Sequence, residues 1–200
     1  MTKIKMCGMC SAHDIEYSNI VLPEYIGYIF VKKSRRYVAP EAAEIYSRIL
    51  NKNIIPVGVF INEDVDLICK LVKSGIIKQI QLHGTEDEHY IAHLKECVNV
   101  PIIKAYKIKS YKDVEAASIS KADMILLDSG EGSGELFDHS VLKDFSRPYF
   151  LAGGLSTENI YGILNNLSPY AVDISSGIET DGVKDREKME SFVSAVRAIQ

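Results

Sequence analysis

The chain's 200 residues are 46% hydrophobic and 25% charged, enough for a single domain over residues 1–200 with a sizeable core. With 23 Lys and Arg against 27 Asp and Glu, the net charge of -4 gives no electrostatic case for nucleic acid or an anionic membrane as partner. Four cysteines are too few for a disulfide scaffold, the apolar runs are too short to cross a bilayer, and Met1–Lys5 turns polar before an export signal develops, so a reducing, cytoplasmic setting is expected.

From the N-terminus, short β-branched runs alternate with stretches of helical period. Lys3–Cys7 and Tyr25–Phe30 are the first two strand candidates, and Pro40 stands where a first helical residue belongs, ahead of Glu41-Ala42-Ala43. Ile54–Phe60 precedes a helix whose Val65, Ile68, Cys69 and Val72 fall at i, i+3, i+4, i+7. Ile77–Leu82, Pro101–Ala105 and Ala122–Asp128 continue the series, and the helix after the last of these is compressed between Asp138 and Phe145. Pro148–Ala152 leads to a helix near Glu158, capped by Ser156 or Thr157 and carrying Ile160, Ile163, Leu164 and Leu167 on one face. Tyr170–Ser175 precedes a closing helix with Met189, Phe192, Val193 and Val196. Most strand candidates are apolar almost throughout, as parallel strands covered on both faces require. Such a run of strand–helix units in roughly 200–250 residues predicts a (β/α)8 TIM barrel. The competing doubly wound sheet lacks support, because the first turn reads Cys7-Gly8-Met9-Cys10 and not Gly-x-Gly-x-x-Gly.

In a barrel, chemistry belongs at the C-terminal strand ends. Those ends read Cys7, then Ser34-Arg35-Arg36, Asn62, Gln81 to Gly84, Lys104, Asp128, Gly153-Gly154 and Ser175-Ser176-Gly177. Glycines and serines in the last two loops suit a phosphate, since backbone N–H groups and hydroxyls can crowd an anion there; the plain alternative is turn and cap residues. Lys5 shares a strand face with Cys7, and its ammonium would favour the thiolate of a base or nucleophile; the plain alternative, the commoner one for a cysteine without further context, is a buried structural thiol. Asp128 emerges from the dry run Met124–Leu127, where a carboxyl can keep its proton and act as an acid, or else cap a helix or pair with Lys104. Arg36 can grip a carboxylate through its planar fork, or be one solvated cation among Lys32, Lys33 and Arg35. His89 and His93 lack the His-Glu-x-x-His arrangement, so they are expected on the surface and no metal is expected.

The chain resembles the phosphoribosylanthranilate isomerases, (β/α)8 enzymes of tryptophan biosynthesis, nearly end to end. The resemblance rests on Lys5-Met6-Cys7-Gly8, Ser34 to Glu41, Pro56 to Phe60, Gln81 to Glu86, Leu126-Leu127-Asp128, Gly132-Ser133-Gly134 with Phe137-Asp138, Leu151 to Leu155, and Val172 to Glu179, all in one order. It implies an Amadori rearrangement of N-(5'-phosphoribosyl)anthranilate without metal or organic cofactor. In that reading Cys7 is the general base and Asp128 the general acid, and Arg36 holds the anthranilate carboxylate. Gly153, Gly154, Ser175 and Ser176 hold the phosphate, Asp173 supports that end, and His83 lines the site. The implied partner is a small phosphorylated substrate, taken by a monomer.

Three departures bear on closure of the sixth loop or on the first turn, and none touches Cys7 or Asp128. Cys10 stands where Thr is usual, His139 where Trp is usual, and the stretch from Ser129 to Glu135 is short, with Glu131 and Ser133 in a usually glycine-rich run. Two other functions compete. A thiol–disulfide oxidoreductase would use Cys7 and Cys10 as a C-x-x-C pair, leaving Arg36, Asp128 and the phosphate loops idle. A non-catalytic phosphosugar-binding barrel would leave Cys7 and Asp128 without a task.

Overall fold

Runs of Ile, Val and Leu that can be dry on both sides form the wall of the molecule. In the computed structural model, which describes residues 1–130, 142 and 145–199, eight parallel strands close into a barrel in sequence order. They are β1 (Lys3–Cys7), β2 (Tyr25–Ile29), β3 (Ile55–Phe60), β4 (Gln79–Leu82), β5 (Ile102–Lys107), β6 (Met124–Asp128), β7 (Tyr149–Ala152) and β8 (Ala171–Ile174). The predicted barrel is therefore the observed one. Every expected end is met within two residues; β5 runs on to Lys107 because Tyr106 and Lys107 pair with Leu127 and Asp128 of β6.

Alternation along each strand splits the core in two. Tyr25, Val57, Ile103, Leu126, Phe150 and Ala171 fill the barrel. Ile4, Met6, Ile80, Leu82, Ile125 and Val172 face the helical layer. That layer is α1 (Ala12–Val21), α2 (Pro40–Ile49), α3 (Val65–Lys73), α4 (Glu88–Cys97), α5 (Tyr111–Ser118), α6 (Ile160–Asn166) and α7 (Arg186–Ala198). Pro40 opens α2 as expected, where its missing N–H costs nothing. Ser11 with Asp14 forms a capping box on α1, and Asp64, Asp87 and Asp185 accept N–H bonds at the starts of α3, α4 and α7.

Two expectations change here. The cap of α6 is not Ser156 or Thr157: the helix begins at Ile160 behind Asn159, whose side chain accepts from Ser156 N and donates to Gly154 O. That asparagine is used to hold the preceding loop, so it supplies no cap bond to the helix. The helix expected between Asp138 and Phe145, His139 and most of the sixth loop lie outside the described residues. An element with no counterpart in the sequence reading is a small hairpin, β9 (Glu179–Thr180) and β10 (Val183–Lys184), which follows a 3-10 turn at Ser176–Ile178 and leads into α7. No helix among the described residues is long and apolar enough to cross a membrane.

Candidate active site

The parity that turns Ile4 and Met6 outward turns Lys5 and Cys7 inward. The same rule brings Gln81 and His83 at the end of β4, Asp128 on β6 and Asp173 on β8 to the inside. Gly27 is the lateral neighbour of Cys7, and a Cβ there would sit 2.7 Å from Cys7 Sγ and 3.3 Å from Lys5 Nζ. Glycine leaves room for both groups.

Lys5 is fully buried and donates to both oxygens of Asp173 at 2.9 Å. Burial opposes its charge, yet Asp173 and Cys7 hold the ammonium protonated beyond lysine's ordinary range. For Cys7 burial wins: the thiol is pushed up from its ordinary value, and Lys5 only partly offsets this. The neighbouring ammonium therefore does not by itself yield a thiolate. The ammonium is committed to Asp173, and burial favours the neutral thiol of Cys7.

For Asp128 the balance falls the other way. Burial pushes its carboxyl up, but the His83 side chain, the Gly130 N–H at 2.8 Å and the charges of His83 and Lys107 outweigh it, and the carboxyl lies below its ordinary range. His83 Nε2 is 3.5 Å from Asp128 Oδ2. The side-chain amide of Gln81 lies against His83 Nδ1 at 3.0 Å, with donor and acceptor roles set by the protonation of the ring. Gln81 Oε1 is left buried without a partner among the described residues. Lys104 is not the partner of Asp128, since its Nζ donates to Glu86 at 3.0 Å and Gly84 O at 2.7 Å.

Opposite these groups stand the two expected anion sites. Gly153 and Gly154 have φ of 102° and 59°, left-handed conformations that glycine adopts without strain. A Cβ on Gly177 would overlap the Leu155 carbonyl, so glycine lets the loops after β7 and β8 touch. Ser175 Oγ donates to Cys7 O at 3.0 Å, tying the second loop to the end of β1. Arg36, from the loop after β2, reaches the same mouth with its Nε and Nη2 bonded to Glu179 at 2.6 and 2.8 Å.

One cavity of about 820 Å³ is lined by Cys7, Arg36, His83, Asp128, Gly153, Gly154, Asp173, Ser175 and Ser176, every site residue expected from the sequence. Asn62 and Lys104, also at strand ends, serve structure instead: Asn62 accepts from Thr85 N, and Lys104 pairs with Glu86. His89 and His93 are exposed on α4. No group of three His, Cys, Asp or Glu among the described residues is placed to hold a metal. The sequence reading gave no role to Gln81, Glu179 or Lys184. Strand parity alone could have found Gln81. The hairpin residues carried no periodic signal.

A family model described as N-(5'phosphoribosyl)anthranilate (PRA) isomerase matches residues 4–195. A relative named N-(5'-phosphoribosyl)anthranilate isomerase, from Endomicrobium trichonymphae, is 41% identical over 204 residues, covering 100% of both chains. A solved phosphoribosyl anthranilate isomerase in complex with reduced 1-(o-carboxyphenylamino)-1-deoxyribulose 5-phosphate superposes with a TM-score of 0.88 at 31% identity, covering 99% of this chain and 100% of that one. A structure of monomers generated from the dimeric isomerase of Thermotoga maritima gives the same TM-score, 0.88, at 31% identity, with 99% and 100% covered.

Proposed function

The chain belongs to the N-(5'-phosphoribosyl)anthranilate isomerase family, and from that premise we propose that its barrel mouth carries out the family's Amadori rearrangement through Asp128 and Cys7. The substrate is N-(5'-phosphoribosyl)anthranilate and the product 1-(2-carboxyphenylamino)-1-deoxyribulose 5-phosphate. Asp128 delivers a proton to the furanose ring oxygen as the C1–O bond breaks, and the anilino nitrogen lone pair forms the Schiff base. Cys7 takes the C2 proton, and its electron pair flows back to give an enolamine. That enolamine tautomerises to the ketone, losing the C2 hydroxyl proton and gaining one at C1, so no oxidant or reductant is consumed.

The observation that carries this reading is the shared cavity: Cys7 and Asp128 line one space between the glycine–serine loops and Arg36. Strands β1 and β6 are not neighbours in the closed order, so the acid and base approach a small sugar from different sides. The loops at Gly153-Gly154 and Ser175-Ser176 hold the phosphate and Arg36 the aromatic carboxylate, which confines the sugar to a reactive pose. Lys5 supports the thiolate of Cys7 once it forms, and His83 hydrogen-bonds the Asp128 carboxylate left behind.

The thiol–disulfide reading has little support. Cys7 and Cys10 are free thiols, one buried and one exposed. Burial and the neighbouring Asp14 both push the Cys10 thiol up, which disfavours the thiolate that exchange needs. The proposal includes a monomer working in the cytoplasm: the acid, the base and both anchors are residues of a single chain, so the reaction asks for no second copy, and four cysteines are too few for a disulfide scaffold.

Turnover of N-(5'-phosphoribosyl)anthranilate tests the assignment. Cys7→Ser and Asp128→Asn should each lower kcat by about 10²–10⁴-fold while the reduced product analogue still binds. Near-normal kcat in either variant removes that residue from its role, and an inactive wild-type protein overturns the reaction.

A further inference from the structure

Behind Arg36 lies an ion cluster built by the β9–β10 hairpin. Glu179 is 8% exposed and takes every bond its carboxylate can make from cations. Oε1 accepts from Arg36 Nε at 2.6 Å and Lys184 Nζ at 2.8 Å; Oε2 accepts from Arg36 Nη2 at 2.8 Å and Arg35 Nη2 at 2.7 Å. Lys184 also donates to Ser175 O at 2.9 Å, and Lys188 Nζ holds the Glu179 carbonyl at 2.7 Å. On its other side the Arg36 stem lies against Gly8, where a Cβ would overlap Arg36 Cδ, so glycine there makes room for the arginine. The charged neighbours depress the Glu179 carboxyl to about 2 against the effect of burial, which keeps it ionised across the working range.

A guanidinium has two edges that can each grip a carboxylate. Glu179 occupies the Nε–Nη2 edge and leaves the outer Nη1–Nη2 edge without use by it. The two carboxylates therefore do not compete: one sets the plane of the fork, the other meets it. Three cations share one Glu179 carboxylate, so the cluster keeps a positive surplus for an anion arriving from the cavity.

We propose that Glu179 is a positioning residue that aims the outer edge of Arg36 at the aromatic carboxylate of the substrate, and that it thereby sets selectivity for an ortho-carboxylated arylamine. The inference rests on the assignment of Arg36 as the carboxylate anchor. Glu179→Gln keeps the shape but offers one acceptor atom where two are needed. Calorimetry with reduced 1-(o-carboxyphenylamino)-1-deoxyribulose 5-phosphate, and with the same molecule lacking its carboxyl, reads the effect. The variant should bind the carboxylated ligand about tenfold or more weakly and the other within about twofold of wild type, with KM rising far more than kcat falls.

Glu179→Asp keeps the charge, and with it the fold, while drawing the carboxylate back by one methylene; it should lose selectivity in the same direction but less. Equal losses for both ligands, unchanged selectivity in the two Glu179 variants, or tighter binding of the carboxylated ligand in either would overturn the role. A wild-type protein that turns over substrate while the Glu179 variants keep full selectivity sinks this inference alone; one that turns over none sinks the reaction on which it rests.

Discussion

Burial lifts the Cys7 thiol above its ordinary 9.0, while His83, the Gly130 N–H and Lys107 hold the Asp128 carboxyl below 3.8 in spite of burial. The proposed chemistry needs the reverse distribution, with the proton on Asp128 and a thiolate at Cys7. Both distributions carry the same total charge, so bulk pH does not convert one to the other between those values; the bound substrate has to. Filling the cavity removes water from Asp128 and adds a dianionic phosphate nearby, and both effects raise a carboxyl. Carboxyl NMR of the free protein should therefore show Asp128 titrating below 3.8, with an upward move in the complex with the reduced product analogue. Alkylation of Cys7 in the free protein should accelerate only as pH passes above 9. An Asp128 that titrates at the same pH with and without the analogue would leave the reaction without its acid.

The loops after β7 and β8, the proposed phosphate site, touch only because residue 177 is glycine. Gly177→Ala places a methyl group against the Leu155 carbonyl, and the loops must part. Binding of inorganic phosphate should weaken by about tenfold, while Cys7 alkylation keeps its wild-type pH dependence. Unchanged phosphate affinity would show that the anion is held elsewhere. This contact also marks what the sequence made legible. Eight apolar runs announced the strands, and polar ends on such runs announced the mouth; the period of two then assigns Lys5, Gln81 and Asp173 to the interior from their neighbours alone. The ionisation of Cys7 and Asp128 was not legible, because it depends on which partner each charge has already taken. Lys5 was visible as a neighbour of Cys7, but its commitment to Asp173 is a contact across 168 residues of chain. Glu179 and Lys184 sit in two-residue strands, too short for any periodic pattern to speak for them.

Across the whole molecule, the bond between Lys5 and Asp173 lies where β1 meets β8, and Ser175 joins Cys7 O at the same place. The first and last strands thus complete each other's charges. Until β8 docks, Lys5 faces the barrel interior with no counter-ion, and Cys7 lacks both the loop that braces it and half of its phosphate site. Contacts of such long sequence separation form late in folding, because chain closure must precede them. Refolding followed by tyrosine fluorescence and by activity should then separate: the helical layer returns early, and turnover appears only with the slowest phase. Turnover that keeps pace with the earliest phase would contradict this order. For a ribosome making the chain from its N-terminus the consequence is one of timing. Cys7 and Lys5 are made well before Asp173, which pairs with Lys5 across 168 residues of chain, so a chain cut short of β8 holds the proposed base in its sequence yet remains catalytically silent until that strand arrives.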